Sequence, residues 1–176
     1  MAVDGKERRA PKPEGKPRRV CVVTRVIDHG GDETAALVEL ARLFAEDGDD
    51  VTLLWAPGRD KPSSEDVAQR RRDLEMASIR LDVLDRSDQL LPSLATPESR
   101  SAALLHYLER SGHDLVYAPL EGGLLYYALL AAETGAFAAP PIVVIAHAPN
   151  EWEHEADKAF TDSTQAIAVA FMEKYC

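Results

Sequence analysis

The sequence predicts a doubly wound α/β domain: a mainly parallel sheet with helices on both faces. Three observations predict it. Five short apolar runs, at 18–26, 49–57, 79–85, 113–120 and 140–148, have the length and composition of buried strands. Segments with helical periodicity separate most of them. Glycine-bearing loops follow several of the runs, as strand-to-helix connections require.

The first run, "RRVCVVTRV", is β-branched and opens on two arginines. After "IDHGGDE" comes "ETAALVELARLFAEDG", where Leu37, Leu40, Ala41 and Phe44 form one apolar stripe. Asp32 is placed to cap this helix, and Gly48 to end it in a left-handed conformation. "DDVTLLWAP" is the second strand, so the first unit is a right-handed strand–helix–strand crossover. Residues 58–75 are highly charged and read as part loop, part helix. "IRLDVLD" alternates, which puts the third strand nearer an edge.

A helix over 96–112 is signalled by Thr96 as N-cap, Pro97 at its first position and Glu98 beside it. Leu104, Leu105 and Leu108 supply its buried face, and Gly112 ends it. "HDLVYAPL" is the fourth strand. A helix through "EGGLLYYALLAAETGA" turns Leu125, Ala128, Leu129 and Ala132 inward and closes at Gly135. "PPIVVIAHA", the most apolar run, reads as a central fifth strand. A last helix over 162–176 carries Ile167, Ala170 and Phe171 on one side.

The chain has 176 residues, 45% of them hydrophobic and 28% charged, which suits one soluble domain. No run is long and apolar enough for a membrane-spanning helix. Two cysteines, Cys21 and Cys176, argue against a disulfide framework and for a reducing, cytoplasmic setting. The net charge is −10, yet residues 1–19 hold seven Lys/Arg against three Asp/Glu. The body is therefore strongly acidic, and a nucleic-acid partner is excluded for want of a basic face. Residues 1–17 form a basic tail rich in Pro, Gly and Lys, expected to be disordered. It is read as a solvated leader, with peripheral contact to an anionic membrane as the alternative. The domain proper is 18–176.

Ligands of such sheets bind just past the carboxyl ends of the strands. Four loops lie there: 27–33, 56–62, 118–124 and 147–157. In the first, Gly30 and Gly31 lack Cβ, so a phosphate or carboxylate can approach their N–H groups, or the pair only makes a tight turn. In the third, Gly122 and Gly123 stand beside Glu121, a carboxylate suited to hydrogen-bonding hydroxyl groups. In the fourth, His147 ends the fifth strand. An imidazole there donates or accepts a hydrogen bond near neutral pH, or else satisfies a loop carbonyl. The acids of "NEWEHEAD" lack an HExxH arrangement, so no metal is assigned to them. There is no Walker loop, nucleophile elbow, CxxC pair or GxGxxG, and no cofactor is predicted.

"RRVCVVTRVIDHGGDETAALVELARLFAEDGDDVTLLWAP" resembles the opening of glycosyltransferases of the GT-B fold, in particular the large retaining family 4. Those chains begin with a strand, a paired-glycine loop, a helix of cadence "LA..L...GH.V" and a second strand; here Asp49 stands where a histidine is usual. "HDLVYAPLEGGLLYYALLAAETGAFAAPPIVVIAHAPNEW" is similar to a later part, and the resemblance spans 18–176. It implies the acceptor-side half of an enzyme whose substrates are a nucleotide-diphosphate sugar and a hydroxyl acceptor. It implies that Gly30 and Gly31 approach the donor diphosphate and that His147 lies by the transferred sugar as the catalytic residue. Glu121, Gly122, Asn150, Glu151 and Trp152 would line the acceptor side. The donor domain with its paired glutamates is not in this sequence, so a second GT-B domain in cis or trans is expected and the chain alone is expected to be inactive. The competing reading is a non-catalytic α/β module binding a small molecule or a protein.

Overall fold

A computed structural model describes residues 16–27, 32–57, 63–84, 96–146 and 163–176. Five strands, β1 (Arg19–Thr24), β2 (Asp50–Trp55), β3 (Ile79–Val83), β4 (Leu115–Pro119) and β5 (Ile142–Ile145), form one sheet in the order β3-β2-β1-β4-β5. Every pairing is parallel. Between the strands run α1 (Asp32–Glu46), α2 (Ser64–Glu75), α3 (Pro97–Ser111) and α4 (Tyr126–Glu133), with α5 (Thr164–Tyr175) last. This is the Rossmann-like α/β architecture that the alternation of runs and periodic segments predicts.

The register explains the two faces. Cys21 and Val23 of β1 align with Thr52 and Leu54 of β2, and they point toward α3 and α4. There they join Ala103, Leu104 and Leu108 of α3, Leu125 just ahead of α4, and Ala128 of α4. Val20 and Val22 point the other way, onto Leu37 and Ala41 of α1 and Leu74 of α2. Period-two alternation along a strand covered on both sides makes both sets apolar, hence the unbroken runs in the sequence. Each fully buried Leu or Val stabilises the fold by roughly 1.5–3 kcal/mol.

The predicted start and stop of α3 are in place, while Asp32, expected to cap α1, is instead that helix's first residue. Thr96 accepts a hydrogen bond from the Ser99 N–H at the head of α3, and Gly112 ends that helix at φ 62°. Ser63 caps α2 in the same way through the Asp66 N–H at 3.0 Å, which resolves the charged 58–75 region into a helix over its second part. Arg18, just ahead of β1, and Arg19, its first residue, clamp the amino-terminal rim of the sheet. Arg18 reaches Asp49 at 2.6 Å, and Arg19 reaches Asp114 through its backbone N–H at 2.8 Å. Asp49, the departure from the family cadence, thus has a partner in Arg18.

Two further expectations are corrected. β5 is not central: it closes one end of the described sheet, and Val143 is 37% exposed. Its apolar composition gives neither its rank in the sheet order nor full burial: none of its residues is buried in the described structure. The 121–136 helix does not run through its glycines. Gly122 at φ 75° and Gly123 at φ 62° break it into a short 3-10 turn, Glu121–Gly123, before α4 begins. On α5, the side bearing Ile167 and Phe171 is largely exposed, with Phe171 edge-on to Tyr126, and the buried side is Met172 with Glu173. β3 does lie at an edge, as its alternation predicts.

Candidate functional site

All five strands being parallel, their carboxyl ends make one rim. The strand order reverses between β1 and β4, and this is where an open parallel sheet has its crevice. The described part of the rim is built from the residues that follow these two strands.

After β1 the chain is pinned from both sides. Thr24, buried, donates through its hydroxyl to the Val26 carbonyl at 2.6 Å. Trp55, at the end of β2, donates its indole N–H to the Arg25 carbonyl at 3.2 Å. The half-buried Arg25 side chain then crosses to β4. Its guanidinium carbon lies 3.3 Å from where a Cβ of Gly122 would stand. The positive φ at 122 favours glycine, and the Arg25 guanidinium packs close beside it.

After β4, the Leu120 N–H donates to the Ile145 carbonyl at 2.9 Å and ties the turn to β5. Glu121, Gly122 and Gly123 are all buried. The Gly122 N–H donates to Glu173 Oε1 at 2.7 Å, a buried bond to a residue of α5. Gly123 is covered by Met172, whose side chain leaves no room for a Cβ. One guanidinium and two carboxylates, Glu121 and Glu173, therefore gather within the turn at the sheet's switch point. Such groups can hydrogen-bond hydroxyl groups, but with two carboxylates to one guanidinium the set as a whole is negative and does not by itself favour an anion.

Of the residues singled out in the sequence, Glu121 and Gly122 lie on this rim together. Gly30, Gly31, His147, Asn150, Glu151 and Trp152 lie outside the described residues. The sequence reading missed Arg25 and Glu173. Both had a signal: Arg25 is a lone cation directly after an apolar strand, and Glu173 is an acid directly after the apolar run "AIAVAFM". Among the described residues no three His, Cys, Asp or Glu side chains are grouped to hold a metal. Among them, too, no helix is long and apolar enough to cross a membrane.

Neither a protein-family model nor a curated protein sequence matches the chain. Among solved structures, the chain is similar to the crystal structure of the glycotransferase of kitacinnamycin, at 16% identity and a TM-score of 0.44. That match covers 91% of this chain and 41% of the other, so the chain spans less than half the length of the protein it matches.

Proposed function

We propose that residues 18–176 are the acceptor-side half of a retaining glycosyltransferase that uses a nucleotide-diphosphate sugar. The observation that carries the proposal is the switch-point rim, where Arg25, Glu121 and Gly122 meet at the ends of β1 and β4. The order of motifs along the sequence supports the same reading.

In this reading the donor diphosphate lies over the Gly30–Gly31 backbone after β1. His147, after β5, hydrogen-bonds the transferred sugar. Glu121 and Gly122, with Asn150, Glu151 and Trp152, face the acceptor. The bond from the anomeric carbon to the diphosphate oxygen breaks, and a bond to the acceptor oxygen forms on the same face of the sugar. The acceptor's proton leaves with the nucleoside diphosphate. Backbone donors that meet the departing charge lower the barrier. A second GT-B domain, in cis or trans, supplies the remaining donor contacts, and without it the transition state lacks most of its positional stabilisation. The enzyme works in the cytoplasm.

The competing reading, a non-catalytic interaction module, draws on the exposed Ile167 and Phe171 of α5. Calorimetric titration of a panel of nucleotide-diphosphate sugars against the protein joined to its donor half separates the two. Saturable binding of one donor, weakened by Arg25→Ala or Gly31→Val, supports the transferase. Absence of binding by every donor rejects it.

A further inference from the structure

His113 stands apart from the rim, at the opposite end of the sheet, between α3 and β4. It is 8% exposed, and neither ring nitrogen has a hydrogen-bond partner among the described residues. Buried polar atoms without partners are rare in folded proteins and call for an explanation. The ring is held by packing instead: it stacks on Tyr107 of α3, with centroids 5.9 Å apart and planes 28° apart.

The surroundings are already paired among themselves. The Tyr107 hydroxyl donates to Asp82 Oδ2 of β3 at 2.7 Å. Arg80 of β3 donates to the buried Thr52 hydroxyl of β2 at 2.6 Å, and its Nε lies 3.9 Å from the same Asp82 oxygen. Arg19 of β1 is bonded to Asp114, the residue after His113. Cys21 of β1 is fully buried on this face. The charged groups acting on the ring are thus Arg19 from β1, Asp50 from β2, and Arg80 and Asp82 from β3, with Tyr107 stacked on it from α3. The one carboxylate of β3 is engaged by a phenol and a guanidinium, and both nearby cations stay charged at any physiological pH.

We propose that His113 is an acid-sensitive latch, which holds the end of α3 against the sheet as a neutral ring and releases that corner when it takes up a proton. A protonated ring would bring a second N–H donor to a place where neither ring nitrogen is partnered, and would add a positive charge beside Arg19 and Arg80, only partly offset by Asp82 and Asp50. Burial, then Arg80 and Arg19, hold the ring below the ordinary histidine range, which agrees with the geometry. The sign follows. A ring less basic in the folded state than in the unfolded one costs nothing above about pH 6.5 and destabilises progressively as pH falls below it.

The test is urea unfolding from pH 7.5 to pH 5, on the wild type and on His113→Phe, which keeps the stacked ring and cannot be protonated. The unfolding constant of the wild type is expected to rise below about pH 6.5 by up to about tenfold per pH unit. That rise is expected to be smaller in His113→Phe by the share of one proton. Identical pH dependence in both overturns the proposal. Should His113→Phe fail to fold, an NMR titration of the wild-type imidazole decides. A midpoint below that of a free histidine supports the latch, and one at or above it overturns it.

Discussion

Gly122 of the β4 turn donates its backbone N–H to Glu173 of α5 at 2.7 Å, across 51 residues of sequence. The bond is buried, so removing its acceptor leaves an unpaired donor out of reach of water. Glu173→Leu is expected to destabilise the fold by about 1–3 kcal/mol, read as a shift in the urea midpoint at constant slope. Glu173→Gln keeps an oxygen acceptor and is expected to lose less. Equal losses in both variants would mean that the carboxylate's charge, and not the bond to Gly122, matters.

Gly123 and Gly135 both sit at positive φ, 62° and 74°, but only one has a neighbour. A Cβ at Gly135 meets nothing within 4 Å, whereas one at Gly123 runs into Met172. Gly135→Ala therefore meets only the left-handed backbone penalty, about 1–2 kcal/mol. Gly123→Ala adds overpacking against α5, about 1–3 kcal/mol more. Thermal unfolding of the two variants side by side checks the difference. Equal losses would show that α5 shifts away at little cost.

The contrast between these glycines also marks what the sequence could tell. Gly48, Gly112 and Gly135 were legible as helix ends because a stop signal is local: the positive φ belongs to the residue itself. Gly122 and Gly123 were legible as a strand-end pair, but their use in seating α5 was not. Met172 and Glu173 come some fifty residues later, and no local pattern links them. Apolar runs gave five strands, since burial on both faces leaves a period-free signature. They did not give the rank of β5, because coverage of faces and position in the sheet order are independent. Arg25 was passed over for the same reason as Glu173: a charge becomes a rim residue only once β4 is known to lie beside β1.

The two thiols are expected to differ sharply in reactivity. Cys21 is fully buried on β1, and burial pushes its thiol far up, with the Asp82 charge adding to it. Cys176 is half-buried; burial, then Glu173, push it up to about 11. Since the thiolate is the reactive species, Cys176 is expected to react with a disulfide reagent at pH 8 at least about tenfold more slowly than a free thiol. Cys21 is expected to stay silent until urea unfolds the chain. Rapid labelling of both in the native state would mean that β1 opens far more readily than its packing implies.

His147 carries the sharpest functional prediction. Thr24 and Ile145 end parallel strands on one rim with β4 alone between them, a separation of about 10 Å at ordinary strand spacing. That distance suits a ligand whose diphosphate lies by the loop after β1 and whose sugar lies by the residue after β5. If the proposed function holds, His147→Ala in the protein joined to a donor half is expected to lower turnover by about 10–10³-fold, as removal of one transition-state hydrogen bond would. Because the imidazole follows the strand and is not part of it, the unfolding midpoint is expected to stay where it is. Gly31→Val is expected to act on the other end of the same ligand, weakening donor binding in calorimetry while leaving acceptor binding alone. Turnover unchanged in His147→Ala would make the histidine a structural residue. Unchanged donor affinity in Gly31→Val would remove the diphosphate from the β1 loop.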